Sequence, residues 1–164
     1  MKEKTNAIRK IESKKVAYRL LDYSDTPYVS ASEVAAYLDV SPDALFKTLV
    51  VQGKKDHYVF LIPASSELDL KKAAKATGEK KIALLPSREL YPLTGYVHGG
   101  CSPIGMKKAF PTFVDSSARN LPRICFSGGK IGYSVEILTE DLTKLIAFAF
   151  ADVKQEKGTE TSDD

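Results

Sequence analysis

The residues with the most chemical potential in this chain form the run Gly99-Gly100-Cys101-Ser102-Pro103-Ile104-Gly105. Residues without side chains let backbone N–H groups approach a ligand closely, and such amides can hold a carbonyl oxygen as it becomes an oxyanion. A structural turn accounts for the same glycines and proline, so spacing alone leaves both readings open. Gly100 to Gly105 also has the spacing of a phosphate-binding loop. Met106 stands where that motif requires lysine, however, and Lys107 follows one residue late with no Ser or Thr after it, which excludes nucleoside triphosphate hydrolysis. His98 and Cys101 place an imidazole and a thiol three residues apart. Catalytic pairs of that type are set by the fold, so proximity within one loop does not argue for one.

Lys47 sits between Phe46 and the apolar run Thr48-Leu49-Val50-Val51. An ammonium at the mouth of a buried strand suits a phosphate or ribose, although a strand-end lysine reaching into solvent is the commoner arrangement. Ser127 opens the run SGGKIG, where its hydroxyl either faces a pocket or simply begins a hairpin turn. His57 lies in a charged turn and reads as solvated. The lysines at 71, 72, 75, 80 and 81 read as a wet helix face, one that would suit a polyanion if a pocket lay beside it.

The elements that must position these groups follow from periodicity. Thr5 caps a short helix ending near Ser13, with Ala7, Ile8 and Ile11 on one face. Val16 to Tyr23 alternates as a strand, broken by Asp25, Thr26 and Pro27. Ser30 or Ser32 caps a helix through Leu38 with Val34, Ala35 and Leu38 inward, and Ser41-Pro42 starts another turn. Lys47 to Gln52 and Tyr58 to Pro63 flank GKKDH and read as a β-hairpin. Leu68 to Ala76 has helical spacing with Leu70, Ala73 and Ala74 inward, and Gly78 stands at the cap. Lys81 to Leu85 is a short strand, and Ser87 to Leu93 a turn. Thr112 to Asp115, Arg123 to Phe126 and Tyr133 to Leu138 are strands, the last two joined by the SGGKIG turn. Thr139 caps a final helix with Leu142, Leu145, Ile146 and Ala149 inward. Hairpins mixed with helices predict an α+β (mixed α/β) single domain, whose mainly antiparallel mixed sheet has helices packed around it.

With 164 residues and 43% hydrophobic content the chain fills one core. No stretch approaches the roughly 18 consecutive apolar residues of a membrane span, and MKEKTNAIRK lacks the apolar run of a secretory signal, so a cytoplasmic protein is expected. Two isolated cysteines exclude a disulfide framework and give no zinc spacing. The formal charge is +3, and the last eleven residues hold two lysines against four acids, leaving a body more basic than the whole chain. Such a body permits a phosphate-rich partner without requiring one. The domain is expected over 1–153, followed by a disordered acidic tail at 154–164.

Taken together, FKTLVV around Lys47, GGCSPIG at 99–105 and FSGGKIGYSVEI at 126–137 resemble the YbaK family of Cys-tRNA(Pro) deacylases, related to the editing domain inserted in bacterial prolyl-tRNA synthetases. The likeness spans roughly residues 5–153, with the motifs in the expected order. It implies a sheet curled into a partial barrel and an enzyme that strips cysteine from mischarged tRNA without metal or organic cofactor. It further implies that Lys47, Gly99 and Gly100 are catalytic positions. In such enzymes the lysine grips the terminal adenosine and the glycine loop cradles the aminoacyl carbonyl. Tyr23, Thr48, Cys101, Ser102, Pro103, Ser127 and Gly128 match substrate-binding positions, with Tyr18 close to Tyr23. The substrate's own thiol is thought to attack its ester, leaving Cys101 a loop residue. The implied partners are the 3′ aminoacyl-adenosine end of tRNA and prolyl-tRNA synthetase in a ternary complex, with no DNA or membrane. Two further readings stay open: an editor of another small aminoacyl ester such as Ala-tRNA(Pro), and a non-catalytic aminoacyl-tRNA-binding module.

Overall fold

A computed structural model describes residues 4–156 of the chain. Helix α1 (Asn6–Ser13) starts where the Thr5 hydroxyl accepts from the Ile8 amide, and it buries Ala7, Ile8 and Ile11. Its C-terminus closes through Lys15, at φ 58°, and a bond from the Val16 amide to the Ile11 carbonyl. Val16 is therefore part of the helix exit, and strand β1 is confined to Arg19–Asp22. Helix α2 (Ala31–Leu38) is capped by Ser30 and buries Val34 and Ala35, while Leu38 is half-buried.

Two sheets carry the core. The larger has the order β4 (Ala83–Leu84), β2 (Phe46–Gln52), β3 (His57–Pro63), β5 (Thr112–Asp115), β8 (Ala149–Ala151), and the smaller β1, β7 (Tyr133–Leu138), β6 (Arg123–Ser127). Strands β2 (Phe46–Gln52) and β3 (His57–Pro63) form the expected hairpin, in register from Phe46 opposite Pro63 to Gln52 opposite His57. That register sends Val50, Val59 and Leu61 to one core and Val51, Tyr58, Phe60 and Ile62 to another, so a one-residue slip would exchange the two faces. Helix α3 (Leu70–Thr77), capped by Asp69 and ended by Gly78 at φ 77°, covers the second core through Ala73. Leu70 is exposed, contrary to its expected inward position, because it is the first helical residue; Leu68, just outside the helix, fills that place instead. Strand β4 (Ala83–Leu84) covers only Val51 and Gln52 of β2.

Helix α4 (Ser87–Thr94) occupies the segment expected to be a turn. Pro92 deprives it of one backbone bond, but Leu90 and Thr94 are buried, and Gly95 at φ 87° ends it. Strands β5 (Thr112–Asp115), β6 (Arg123–Ser127) and β7 (Tyr133–Leu138) lie where expected. The expected last helix is a 3-10 turn, Thr139–Lys144, followed by β8 (Ala149–Ala151) running parallel to β5. Thr139 does not cap that turn. The helical spacing of Leu142, Leu145, Ile146 and Ala149 yields to the open edge of β5, whose backbone groups need a partner.

Antiparallel pairing dominates, with β3/β5 and β5/β8 the parallel exceptions. A bridge between Leu45 and Cys125 ties the two sheets, giving a partial curl without closure. Lys154, Gln155 and Glu156, expected in the acidic tail, are held against the body. Lys154 bridges Leu68, the Gln155 amide donates to the Glu67 carbonyl, and Lys72 meets Glu156 at 2.9 Å. The rest of the expected tail lies outside the described residues. Among the described residues no helix is long and apolar enough to cross a membrane.

Candidate aminoacyl-ester site

Between the open edge of β2 and the facing ends of the small sheet lies a cavity of about 300 Å³. Strand β2 supplies Lys47, Thr48 and Leu49; the ends of β1, β6 and β7 supply Tyr23, Ser127, Tyr133 and Ser134; the glycine loop supplies His98, Gly99 and Cys101. Apolar wall comes from Val29, Ala31 and Val34 around α2, and from Leu90 of α4. Because β4 reaches only Val51 and Gln52, the start of β2 is left free to border a ligand.

Among the described residues Lys47 is the one lysine or arginine on this wall, and none of the lining residues carries a carboxylate. Its ammonium is 3.9 Å from the exposed Glu67 carboxylate, a loose contact that leaves donors for an incoming anionic oxygen. The hydroxyl of Thr48 is buried and has no hydrogen-bond partner among the described residues. Burying such a group unpaired costs about 1–3 kcal/mol, and a ligand able to pair with it would recover that. Ser127 Oγ accepts from the Gly129 amide at 3.1 Å, which leaves its proton to donate, and Ser134 is turned to the Phe126 carbonyl.

The loop divides its glycines between two tasks. Gly99, at φ 86°, lies on the cavity. Gly100 lies behind it: its amide donates to the Val97 carbonyl at 2.9 Å, and a Cβ there would stand 2.8 Å from the Ile131 nitrogen. Gly100 thus lets the loop seat on the 127–132 turn and is withdrawn as a direct donor, against the expectation that it is catalytic. The amides of Gly99 and Cys101 make no hydrogen bond among the described residues. Ser102, fully buried, accepts from the Ile104 amide, and the Tyr96 hydroxyl donates to the Ile104 carbonyl at 2.6 Å. Ser102 and Pro103 support the loop from behind, and Gly128 does the same for the hairpin, its carbonyl taken by the Thr5 hydroxyl.

The structure therefore brings Tyr23, Lys47, Thr48, Gly99, Cys101 and Ser127 together, and keeps Gly100, Ser102, Pro103 and Gly128 off the wall. Burial pushes the Cys101 thiol up to about 12, opposed by a hydrogen bond with Thr94, so it stays a neutral thiol. Exposed His98 makes no hydrogen bond to it among the described residues. Burial likewise raises Tyr23, opposed by the Gly132 backbone, keeping the phenol able to donate. Tyr133 and Ser134 were within the recognised 126–137 run without being singled out, and Val34 was assigned only to a core. Leu90 carried no signal, since its segment reads as a turn. No group of three His, Cys, Asp or Glu side chains suited to a metal occurs among the described residues.

Comparison with known proteins agrees with this geometry. The chain is 42% identical over 153 residues, 92% of its own length and 93% of the other's, to an Enterococcus faecalis protein named as a candidate Cys-tRNA(Pro)/Cys-tRNA(Cys) deacylase, EbsC. It is 27% identical over 116 residues to a proline–tRNA ligase of Kosmotoga olearia, covering 70% of this chain and 20% of that larger protein. A crystal structure described as a candidate trans-editing enzyme for prolyl tRNA synthetase superposes with a TM-score of 0.82 at 25% identity, over 92% of this chain and 96% of that one. The aminoacyl-tRNA editing domain profile matches residues 25–145, a span that takes in Lys47, the glycine loop and the β6–β7 hairpin. With the cavity, the fold and the profile all meeting on those three segments, this chain belongs to the aminoacyl-tRNA editing domain family.

Proposed function

We propose that this protein is an aminoacyl-tRNA deacylase that removes cysteine from mischarged Cys-tRNA(Pro). The observation that carries the reading is the convergence of Lys47 with Gly99 and Cys101, whose amides make no hydrogen bond among the described residues, on one small cavity that Thr48 also lines. Its size suits a small amino acid on a nucleoside rather than a large side chain. Cysteine and proline have similar volumes, which a hydrophobic synthetase pocket separates poorly, so a second hydrolytic site has work to do.

In this mechanism Lys47 grips a phosphate or ribose oxygen of the terminal adenosine. The Gly99 and Cys101 amides donate to the aminoacyl carbonyl as charge builds on its oxygen. The bound cysteine's sulfur attacks its own carbonyl carbon; the C–S bond forms, the ester C–O bond breaks, and the ribose oxygen leaves with the thiol proton. Cysteine departs as a thiolactone that water later opens. Holding thiol and ester in contact makes the step intramolecular, so it needs no nucleophile from the cavity wall. Cys101, neutral and buried, takes no covalent part.

A panel of Cys-tRNA(Pro), Ala-tRNA(Pro) and Cys-tRNA(Cys), assayed with and without prolyl-tRNA synthetase, tests this reading. Rapid release of cysteine but not alanine is expected, and a synthetase requirement for tRNA(Pro) preference would show the ternary complex. Equal release of alanine would move the assignment to the alanyl editor. Protection of every ester would make the protein a binding module.

A further inference from the structure

The β2–β3 turn and the approach to β4 gather Lys54, Lys55, Lys80 and Lys81 at one corner of the large sheet. Glu79 builds that corner. Its carboxylate, 6% exposed, accepts from the amides of Lys54 at 3.1 Å and Lys55 at 3.0 Å and from the Tyr58 hydroxyl at 2.6 Å. Gly53 fits above it because a Cβ there would lie 2.4 Å from Glu79 Cδ. The acid is thus turned inward and saturated, fixing the turn while its lysines point outward. Asp56, the other acid of the turn, accepts from the His57 amide. Among the described residues Lys54, Lys80 and Lys81 make no ion pair, and the Lys55 ammonium donates to the Gly78 carbonyl at 3.4 Å, with Glu79 within electrostatic reach. Lys72, by contrast, is bound to Asp152 and Glu156.

This corner and the cavity stand at opposite ends of the same margin. Lys47 borders the cavity, and strand rise puts Gln52 roughly 17 Å further along β2, with the lysines just beyond it. A tRNA seated by its 3′ end in the cavity would bring its backbone phosphates to that distance within a few nucleotides. We propose that the four-lysine corner docks the phosphate backbone of the acceptor stem whose terminal adenosine occupies the cavity. The proposal rests on the reading of the cavity as an aminoacyl-tRNA site. Lysine is a point charge without base preference, so the corner supplies affinity, and the cavity supplies the choice of amino acid.

The test uses the full chain and a variant carrying Lys54→Gln, Lys55→Gln, Lys80→Gln and Lys81→Gln. Binding of a fluorescent acceptor-stem RNA hairpin is followed by anisotropy across a salt series, beside deacylation of Cys-tRNA(Pro) and of 3′-cysteinyl adenosine. Expected are at least about tenfold weaker hairpin binding at low salt and a log–log salt slope shallower by about one per lysine. Turnover of cysteinyl adenosine stays unchanged. Affinity and slope equal to the parent's would overturn the docking site, as would equal losses from the control pair Lys71→Gln and Lys75→Gln on α3. If the quadruple variant unfolds, Lys80→Gln with Lys81→Gln leaves the Glu79 turn intact and is expected to give about half the slope change. A parent protein that binds the hairpin through these lysines yet cleaves neither ester would sink the deacylase reading alone.

Discussion

Thr48 shows most clearly how a single residue separates stability from function. Its buried, unpaired hydroxyl is a cost to the folded chain and an asset to a ligand. Thr48→Val, close in shape, should raise stability by up to about 1 kcal/mol while raising KM for the aminoacyl ester, as read by chemical denaturation and steady-state kinetics. A loss of stability would mean that the hydroxyl is paired after all. Among the described residues Lys47 is the lone lysine or arginine on the cavity wall, so Lys47→Ala should lower kcat/KM by about 10²-fold or more with the fold intact. Cys101→Ala should keep most activity. The raised thiol also predicts chemistry: with its value pushed up to about 12, Cys101 should react with iodoacetamide at pH 8 far more slowly than a free cysteine, checked by mass spectrometry. At this scale the sequence named Lys47, Thr48, Tyr23, Gly99, Cys101 and Ser127 as site candidates, and these six line one cavity. It could not show that the Gly100 amide is taken up by Val97, because that depends on a turn bond and not on residue type.

Elements hold the site through a few carboxylates placed at strand ends. Asp115, at the end of β5 and 1% exposed, accepts from the amides of Val153, Lys154 and Ser117. Asp115→Ala would leave buried amides unpaired and should cost about 3 kcal/mol in urea unfolding. Glu79 gives the pH dependence. Its hydrogen bond from Tyr58 holds the carboxyl below its ordinary value of 4.5, so its contribution to stability is present above that value and is lost as pH falls through the lowered one. Glu79→Gln should therefore flatten the acid limb of the melting-temperature profile; an unaltered limb would place the acid sensitivity elsewhere. Element types were legible where periodicity and caps agree, as in α1, α3 and the β2–β3 hairpin. They were illegible at α4, where Pro92 signals a turn but burial of Leu90 and Thr94 favours a helix. They were misleading at 139–151, where helical spacing lost to the pairing of β8 with β5, a partner some 35 residues away in the chain.

Across the whole molecule, three segments remote in sequence become one wall because the small sheet docks against the free start of β2. The fold class and the family were legible from motif order, whereas the cavity itself was not, since its apolar lining comes from α2 and α4 and carries no motif. The proposed deacylation depends on that shared wall, with Lys47 holding the adenosine and the loop amides and the substrate's thiol acting on the ester. Its most direct test is release of labelled cysteine from Cys-tRNA(Pro) by the parent protein, Lys47→Ala and Cys101→Ala, beside Ser-tRNA(Pro), which presents a hydroxyl in place of the thiol. Fast release is expected from the parent and from Cys101→Ala, and almost none from Lys47→Ala or from the seryl ester. Undiminished cysteine release by Lys47→Ala would contradict the proposed deacylation.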